Sequence, residues 1–206
     1  MPELPEVEAA RCLLEKHCVQ STICNVIPSE PFDDIVIGEQ VTAKQLTCAL
    51  LDRTVSAVHR RGKQLWMEFS GNGPCLLLHF GMTGSIFIEG VEPLSYQSFK
   101  VDEQFPPRFT KLELRFKKAR GKSTSMTRLA YCDPRRLGRL LLRTDPLGSS
   151  PLSKLAQDPM LEPPTEAAFK ESCLALSESS PIKAVLLAQD KLVCGVGNCK
   201  RPLLFI

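Results

Sequence analysis

The sequence predicts an α+β protein with a strand-rich N-terminal part followed by a smaller helical part. Three observations support this class: apolar residues recur at helical spacing over 5–18, short apolar or β-branched runs dominate 24–140, and helical spacing returns after 164. A stretch dense in proline, glycine and serine separates the two parts. We therefore expect one domain over residues 1–145 and a second, helical domain over 146–206.

The composition is typical of a globular protein and argues against two other classes. The chain has 206 residues, of which 43% are hydrophobic, which is enough for a core and too many for a disordered protein. No apolar run approaches the ~20 residues that a membrane-spanning helix needs. The nine cysteines contain no Cys-x-x-Cys pair and follow no signal peptide, so we expect reduced thiols in an intracellular protein. The net charge of +3 is compatible with a polyanionic partner without requiring one.

Periodicity predicts the elements in chain order. Residues 5–18 form a first helix and 42–51 a short second one, because apolar residues recur three and four positions apart. Helices are also expected over 164–176 and from 181 onward. Strands are predicted where apolar or β-branched runs end at turn residues, at 24–26, 35–41, 55–58, 65–69, 76–78, 85–88, 109–116 and 129–132.

The first eight residues, Met-Pro-Glu-Leu-Pro-Glu-Val-Glu, allow two interpretations. If Met1 is removed, Pro2 carries a free secondary amine, which is a nucleophile that forms an iminium with an electrophilic carbon. Glu3 and Glu6 would then supply carboxylates. Alternatively, proline and acidic residues in a first turn are ordinary helix-start chemistry, because proline needs no N–H there and acids complement the helix dipole.

Two turns between predicted strands could either contact a ligand or be ordinary hairpin turns. Residues 59–63, His-Arg-Arg-Gly-Lys, are largely cationic, although a charged hairpin tip is more often only a solvated loop. Residues 79–84, His-Phe-Gly-Met-Thr-Gly, have two glycines that indicate a tight reversal where the backbone comes close to another group. The alternative for the second turn is a plain hairpin with a buried Met82.

Two later motifs have similar alternatives. Residues 133–140 read Asp-Pro-Arg-Arg-Leu-Gly-Arg-Leu, and their adjacent arginines could either contact a ligand or simply hold a carboxylate such as Asp133. Residues 195–198 read Gly-Val-Gly-Asn, in which the glycines permit close approach of a phosphate to backbone amides. Alone, this second motif would more often be a simple turn.

Together, these motifs resemble those of the formamidopyrimidine-DNA glycosylase (Fpg/Nei) family, in a eukaryotic-type member, and the resemblance covers residues 2–198. It implies a catalytic N-terminal β-sandwich domain flanked by helices, followed by a helix-two-turn-helix domain. It also implies a bifunctional DNA glycosylase and abasic-site lyase that excises oxidised purines (8-oxoguanine and formamidopyrimidines). The resemblance implies no redox cofactor and no catalytic metal.

The resemblance assigns catalytic roles to four residues. Pro2 attacks C1′ of the damaged nucleotide and forms a Schiff base. Glu3 assists opening of the sugar ring as the general acid, and Glu6 supports the site. Lys63, in the cationic turn, enters the cleft and contacts the phosphate or the lesion.

Six further residues are expected to bind DNA: His79, Met82, Arg135, Arg136, Leu137 and Asn198. By resemblance, His79 and Asn198 contact backbone phosphates. Met82 fills the space left when the damaged nucleotide flips out of the duplex, for which an unbranched thioether is well suited. Arg135 pairs with the orphaned base opposite, because its planar set of donors fits a base edge. Leu137 inserts beside that base.

The chain departs from the family at three places. Leu137 stands where bacterial members usually have phenylalanine, and Ala188-Gln189-Asp190 stands where the family usually has Asp-Gln or Asp-Asn. The sequence after Asn198, Cys-Lys-Arg-Pro-Leu-Leu-Phe-Ile, does not suit the next helix. We therefore expect a partial helix-two-turn-helix domain and no finger domain. We also expect residues 151–206 to be mobile or loosely docked, with weak DNA binding for the family. The apolar stripe expected to be exposed consists of Phe169, Val185, Leu186 and Leu187.

Two functions of different classes remain open. The first is the glycosylase and lyase described above. The second is a truncated, catalytically weak or inactive isoform that binds damaged DNA. In both, the expected partner is double-stranded DNA containing oxidised bases or abasic sites. We expect a monomer, located in the nucleus and not associated with membranes.

Overall fold

The structure, a computed structural model, describes residues 2–94, 104–120, 123–176 and 181–198. Within these ranges it is an α+β fold of four α-helices and eight strands, which confirms the predicted class. The helices are α1 (Leu4–Cys18), α2 (Ala43–Leu50), α3 (Glu166–Leu174) and α4 (Ile182–Leu187). The strands are β1 (Thr22–Pro28), β2 (Val55–Arg61), β3 (Gln64–Phe69), β4 (Cys75–His79), β5 (Ser85–Ile88), β6 (Thr110–Arg120), β7 (Ser123–Cys132) and β8 (Arg139–Arg143).

The strands form two antiparallel sheets, and these two sheets share one core. The first sheet has the order β1-β6-β7-β5 and the second has the order β2-β3-β4-β8. Alternate residues of each sheet point inward, and the buried cluster joins Leu114 and Phe116 of the first sheet with Leu65 and Leu78 of the second. The arrangement is the β-sandwich that the family resemblance implied.

The strand predicted at 35–41 is wrong. The Asp33 carboxylate accepts a hydrogen bond from the Val36 N–H at 3.1 Å, and the Ile37 N–H donates to the Asp33 carbonyl at 2.9 Å. These bonds close a turn, and only an isolated parallel bridge joins Ile37 to Leu140. The β-branched residues there are used for burial, since Val36 and Ile37 are at most 1% exposed.

Helix α1 begins at a capping box and carries the N-terminus to the edge of the second sheet. The Glu6 carboxylate accepts a hydrogen bond from the Glu3 N–H at 2.8 Å, and Pro5 lies in the first turn, where its missing N–H costs nothing. The buried face has the predicted helical spacing and contacts β2 and β3. It consists of Val7, Ala10, Leu14 and Cys18.

The chain after β8 covers the outer face of the second sheet. Trp66, Cys75 and Leu77 point away from the sandwich core and are buried under Leu152 of a short 3-10 helix, with Leu155 packed against the same cluster. This second, smaller core gives the sheet an apolar layer on both faces. The residues that pack there, Leu152 and Leu155, directly follow the stretch dense in proline, glycine and serine.

Part of the C-terminal segment is docked through buried contacts, so the expectation of loose docking is wrong for the residues around Asp158 and Cys194, whereas helix α3 has no buried residue. The Asp158 carboxylate accepts hydrogen bonds from Arg60 Nη1 at 2.5 Å and from the Gly62 N–H at 2.7 Å. The side chains of Arg60 and Asp158 are 3% and 2% exposed. The Cys194 N–H donates to the Gln157 carbonyl at 3.0 Å. Residues 199–206 lie outside the described part of the chain.

The apolar stripe expected to be exposed is only partly so. Phe169 and Leu186 are each 37% exposed, whereas Val185 is buried and Leu187 is half-buried.

Among the helices of the described ranges, none is both long and apolar enough to cross a bilayer. The domain boundary at 145/146 stays a prediction.

A buried carboxylate holds the loop between β7 and β8 to the body of the protein. Asp33 pairs with Lys111 Nζ at 2.8 Å and with Arg136 Nε at 2.9 Å. Burial acts to raise the pKa of Asp33, but hydrogen bonds from Lys111, Arg136 and the Val36 N–H outweigh burial and lower its pKa to about 2.

This pairing predicts an acid-sensitive contribution to stability. A carboxyl whose pKa is depressed in the folded state contributes stability above its unfolded pKa, and that stability is lost as the pH falls through the folded pKa. For Asp33 this contribution is about 2 kcal/mol, present above pH ~4 and lost towards pH ~2. We expect Asp33→Asn to lower the free energy of unfolding by at least this amount at pH 7, measured by urea denaturation, with the difference from wild type shrinking below pH ~4.

Asp34→Asn is the matched control, because the Asp34 side chain is 80% exposed and lies 4.0 Å from Arg136 Nη2. It should change stability by less than ~0.5 kcal/mol. Equal effects of the two substitutions, or an Asp33→Asn effect that does not vary with pH, would contradict this account.

Candidate active site

A cleft of about 420 Å³ lies where five separate parts of the chain meet. The start of α1, the β2–β3 turn, the loops after β4 and β7, and the C-terminal segment all contribute to it. Five of the residues predicted from the sequence line this cleft: Pro2, Lys63, His79, Met82 and Leu137. The other lining residues are Val7, Gln64, Phe80, Gly81, Leu155, Leu187 and Gln189.

Glu3 and Lys63 form an ion pair beside this cleft. Lys63 Nζ lies 2.5 Å from Glu3 Oε2, and the two side chains are 19% and 11% exposed. Glu3 Oε2 is buried, and the Lys63 ammonium holds it by a short, charge-assisted contact. Glu6 lies one turn away and binds the Glu3 backbone instead. The capping box thus joins Glu3 and Glu6 at the start of α1, while Glu3 Oε2 contacts Lys63.

His79 lies at the end of β4 and is a neutral imidazole near pH 7. Burial lowers the pKa of His79, and the nearby charges of Arg139 and Lys63 lower this pKa further. The Tyr131 hydroxyl donates a hydrogen bond to the His79 carbonyl at 2.9 Å, which holds the backbone there. A neutral imidazole can donate one N–H to a phosphate oxygen.

Two neighbouring loops present Met82 and Leu137, which are 43% and 41% exposed. The loops touch at Gly81, which has φ +56°, and a β-carbon there would lie 2.5 Å from the Leu137 carbonyl carbon. The Thr83 hydroxyl also donates a hydrogen bond to Asp133 Oδ1 at 2.5 Å. Met82 is therefore not the buried hairpin residue of the alternative interpretation.

Asp133 organises the second loop through backbone groups rather than through arginine side chains. Its fully buried carboxylate accepts hydrogen bonds from the N–H groups of Arg135 at 3.3 Å and Gly138 at 2.7 Å. The Arg136 guanidinium binds Asp33, so any DNA contact by Arg136 competes with that pair. Arg135 is exposed, and no hydrogen bond or ion pair of its side chain is found among the described residues.

The turn at residues 195–198 lies against the N-terminal end of α1. Asn198 is exposed at the end of this turn, and the turn itself is not helical within the described residues. A β-carbon on Gly197 would overlap the Glu3 carboxylate, and one on Gly195 would overlap Leu4. The turn is therefore part of the wall around Glu3.

Sequence reasoning missed four residues that build the site: Thr83, Asp133, Asp158 and Gln189. Gln189 had a sequence signal, since Ala188-Gln189-Asp190 departs from the family pattern, and Asp133 was named only as a carboxylate that the adjacent arginines could hold. Thr83, Asp133 and Asp158 act through contacts distant in sequence, which periodicity does not indicate.

Comparison with known proteins gives consistent matches. The family model described as the formamidopyrimidine-DNA glycosylase N-terminal domain matches residues 1–140. A formamidopyrimidine-DNA glycosylase of Arabidopsis thaliana is 33% identical over 200 residues, covering 96% of this chain and 48% of that protein. One from Escherichia coli is 30% identical over 199 residues, covering 96% of this chain and 63% of that protein. The chain thus spans between about half and two thirds of the length of these relatives.

Solved structures show the same similarity. The chain superposes on Lactococcus lactis Fpg, in a complex with DNA containing an abasic site, with a TM-score of 0.72 and 25% sequence identity. The match covers 96% of this chain and 64% of the bacterial one. Because the family model covers more than half of the chain and the fold agrees, the chain belongs to the formamidopyrimidine-DNA glycosylase family.

Proposed function

We propose that the protein is a bifunctional DNA glycosylase and abasic-site lyase that excises oxidised purines from double-stranded DNA. The observation that carries this proposal is the single cleft lined by Pro2, Lys63, His79, Met82 and Leu137, with Glu3 buried beside it. A nucleophile, a carboxylate, a cation and two apolar side chains are thus gathered from distant parts of the chain. Similarity to a relative bound to abasic-site DNA supports the choice of partner.

The proposed reaction begins with removal of Met1, which converts the Pro2 nitrogen into a secondary amine. That nitrogen attacks C1′, the bond from C1′ to the damaged base breaks, and the base leaves with a proton. Glu3 protonates the ring oxygen as the sugar opens, which gives an iminium between Pro2 and C1′. Loss of a proton from C2′ then expels the 3′ phosphate and nicks the strand. Hydrolysis of the remaining iminium between Pro2 and C1′ then releases the protein.

The two exposed apolar tips serve the step that precedes chemistry. C1′ is inaccessible inside a stacked duplex, so the nucleotide must flip out at a cost of a few kcal/mol. Met82 and Leu137 protrude beside the cleft, and in this proposal they fill the vacated space. In the same proposal the Arg135 guanidinium, on the same loop as Leu137, contacts the orphaned base. The nuclear location and the monomeric state stay predictions.

We expect sodium borohydride to trap wild-type protein covalently on an abasic-site duplex, and Pro2→Gly to reduce the adduct strongly. Glu3→Gln should lower excision of an oxidised purine by roughly 10²-fold or more, the usual contribution of a general acid, with a smaller loss on a preformed abasic site. Glu15→Gln, an exposed substitution on α1, is the control and should act as wild type.

Mass spectrometry of the same sample should show that Met1 has been removed. Retention of Met1, or undiminished trapping by Pro2→Gly, would exclude Pro2 as the nucleophile. Duplex binding by wild type without any covalent adduct would instead support the second function, damaged-DNA binding with little or no catalysis.

Met82→Ala should separate base flipping from chemistry. We expect nicking of a single-stranded abasic site to stay near the wild-type rate, while excision from a stacked duplex slows by roughly 10-fold or more, because only the duplex must be unstacked. Met126→Ala, at a 59% exposed position on β7, is the control. Equal losses on both substrates would show that Met82 does not act in flipping.

His79 should take up a proton when DNA binds. Its pKa is below the ordinary value in the DNA-free protein because of burial and two nearby cations, and a phosphate placed beside it favours the charged form. A group whose pKa rises on binding makes affinity increase as the pH falls, so duplex affinity should strengthen between pH ~7.5 and pH ~6. NMR titration of the His79 ring, with and without an abasic duplex, measures the change. Should His79→Gln show the same pH dependence of affinity, the phosphate contact would be excluded.

A further inference from the structure

The position of Glu3 is set by steric contact on one side and by charge on the other. Gly197 lies so close to the Glu3 carboxylate that a β-carbon at 197 would overlap its carbon and both of its oxygens. Lys63 Nζ contacts the same Oε2 atom. The Glu3 carboxylate is therefore held between the Lys63 ammonium and the Gly195–Gly197 turn, and its location depends on where that turn lies.

One side chain holds that turn. Gln189 Nε2 donates hydrogen bonds to the Leu187 carbonyl at 2.8 Å and to the Val196 carbonyl at 3.0 Å. Gln189 Oε1 accepts a hydrogen bond from the Gly195 N–H at 2.8 Å. The carboxamide thus joins the end of α4 to two residues of the turn, and it needs both a donor and an acceptor to do so.

The Gln189 backbone is itself anchored to the body of the protein. Its carbonyl accepts a hydrogen bond from the Ala156 N–H at 2.9 Å, two residues before the buried Asp158. The turn also depends on a glycine, since Gly195 has φ +94°, a backbone conformation that other residues rarely adopt. Gln189 therefore connects the segment anchored at Asp158 to the turn that lies against the Glu3 carboxylate.

We infer that Gln189 is a positioning residue that places Glu3 for base excision, an inference that rests on the proposed glycosylase function. Gln189 acts through the Gly195–Gly197 turn. Displacement of a reacting group by ~1 Å can slow a reaction by ~10²-fold. Loss of the three hydrogen bonds lets the turn move away from Glu3. Base excision, which needs the Glu3 carboxyl, then slows more than reaction at a preformed abasic site.

The test uses Gln189→Met and Gln189→Glu in the full chain. Methionine keeps the length of the side chain but removes all three hydrogen bonds, and glutamate keeps the acceptor but loses both donor bonds to carbonyls. Each should lower single-turnover excision of an oxidised purine by roughly 10- to 100-fold and change borohydride trapping on an abasic duplex by less than about threefold. Gln157→Met, an exposed position in the neighbouring segment, is the control and should match wild type.

A double-mutant cycle distinguishes positioning from general destabilisation. In the Glu3→Gln background, Gln189→Met should cause little further loss of excision, because the group through which it acts is already absent. An additive loss there, or equal losses of excision and trapping in the single variant, would overturn the inference.

A readout without substrate separates this inference from the proposed function. The ¹³C signal of the Glu3 carboxyl should change in Gln189→Met, while the Glu6 signal stays in place. If wild type neither excises nor traps but the Glu3 signal still changes, the proposed activity fails and the positional link stands. An unchanged Glu3 signal overturns the link, whatever the activity of wild type.

Discussion

The arrangement of the site depends on one buried ion pair, between Arg60 and Asp158. Their side chains are 3% and 2% exposed, and Arg60 also binds Glu8 of α1 at 2.8 Å and the Gly62 carbonyl at 2.9 Å. Three separate parts of the chain thus meet at one guanidinium: the N-terminal helix, the turn bearing Lys63 and the C-terminal segment. Loss of one partner from a pair this deeply buried leaves an uncompensated charge and costs about 3–5 kcal/mol. Glu3, Lys63 and the Gly195–Gly197 turn keep their relative positions because this interaction holds.

Much of the scaffold could be predicted from local pattern. The spacing of Val7, Ala10, Leu14 and Cys18 correctly predicts the buried face of α1, and the apolar run 76–78 correctly predicts a strand with both faces covered. The prediction at 35–41 failed because the Asp33 side chain offers the backbone a turn that competes with strand pairing. Local propensity does not show that the Asp33 carboxylate pairs with two distant cations, Lys111 and Arg136, and also accepts a hydrogen bond from a backbone N–H.

The candidate site was predicted through motifs, and the missing part was the support behind them. Pro2, Lys63, His79, Met82 and Leu137 come together in one cleft although periodicity alone places none of them there. The residues that fix their positions, Asp133 and Asp158 above all, act across 50 or more residues of sequence. A carboxylate has the same local signature whether it faces water or closes such a contact. Only the folded chain distinguishes the two cases.

The loops after β4 and β7, which carry Met82 and Leu137, are coupled to each other by direct contacts. The Thr83–Asp133 hydrogen bond and the close packing of Gly81 on Leu137 couple the loops, so neither tip can be displaced far without disturbing the other. Met82 and Leu137 are therefore displaced together rather than singly. Under the proposed function, a duplex would meet this arrangement already formed. A smaller side chain at one of the two positions would then not be compensated by movement of the other.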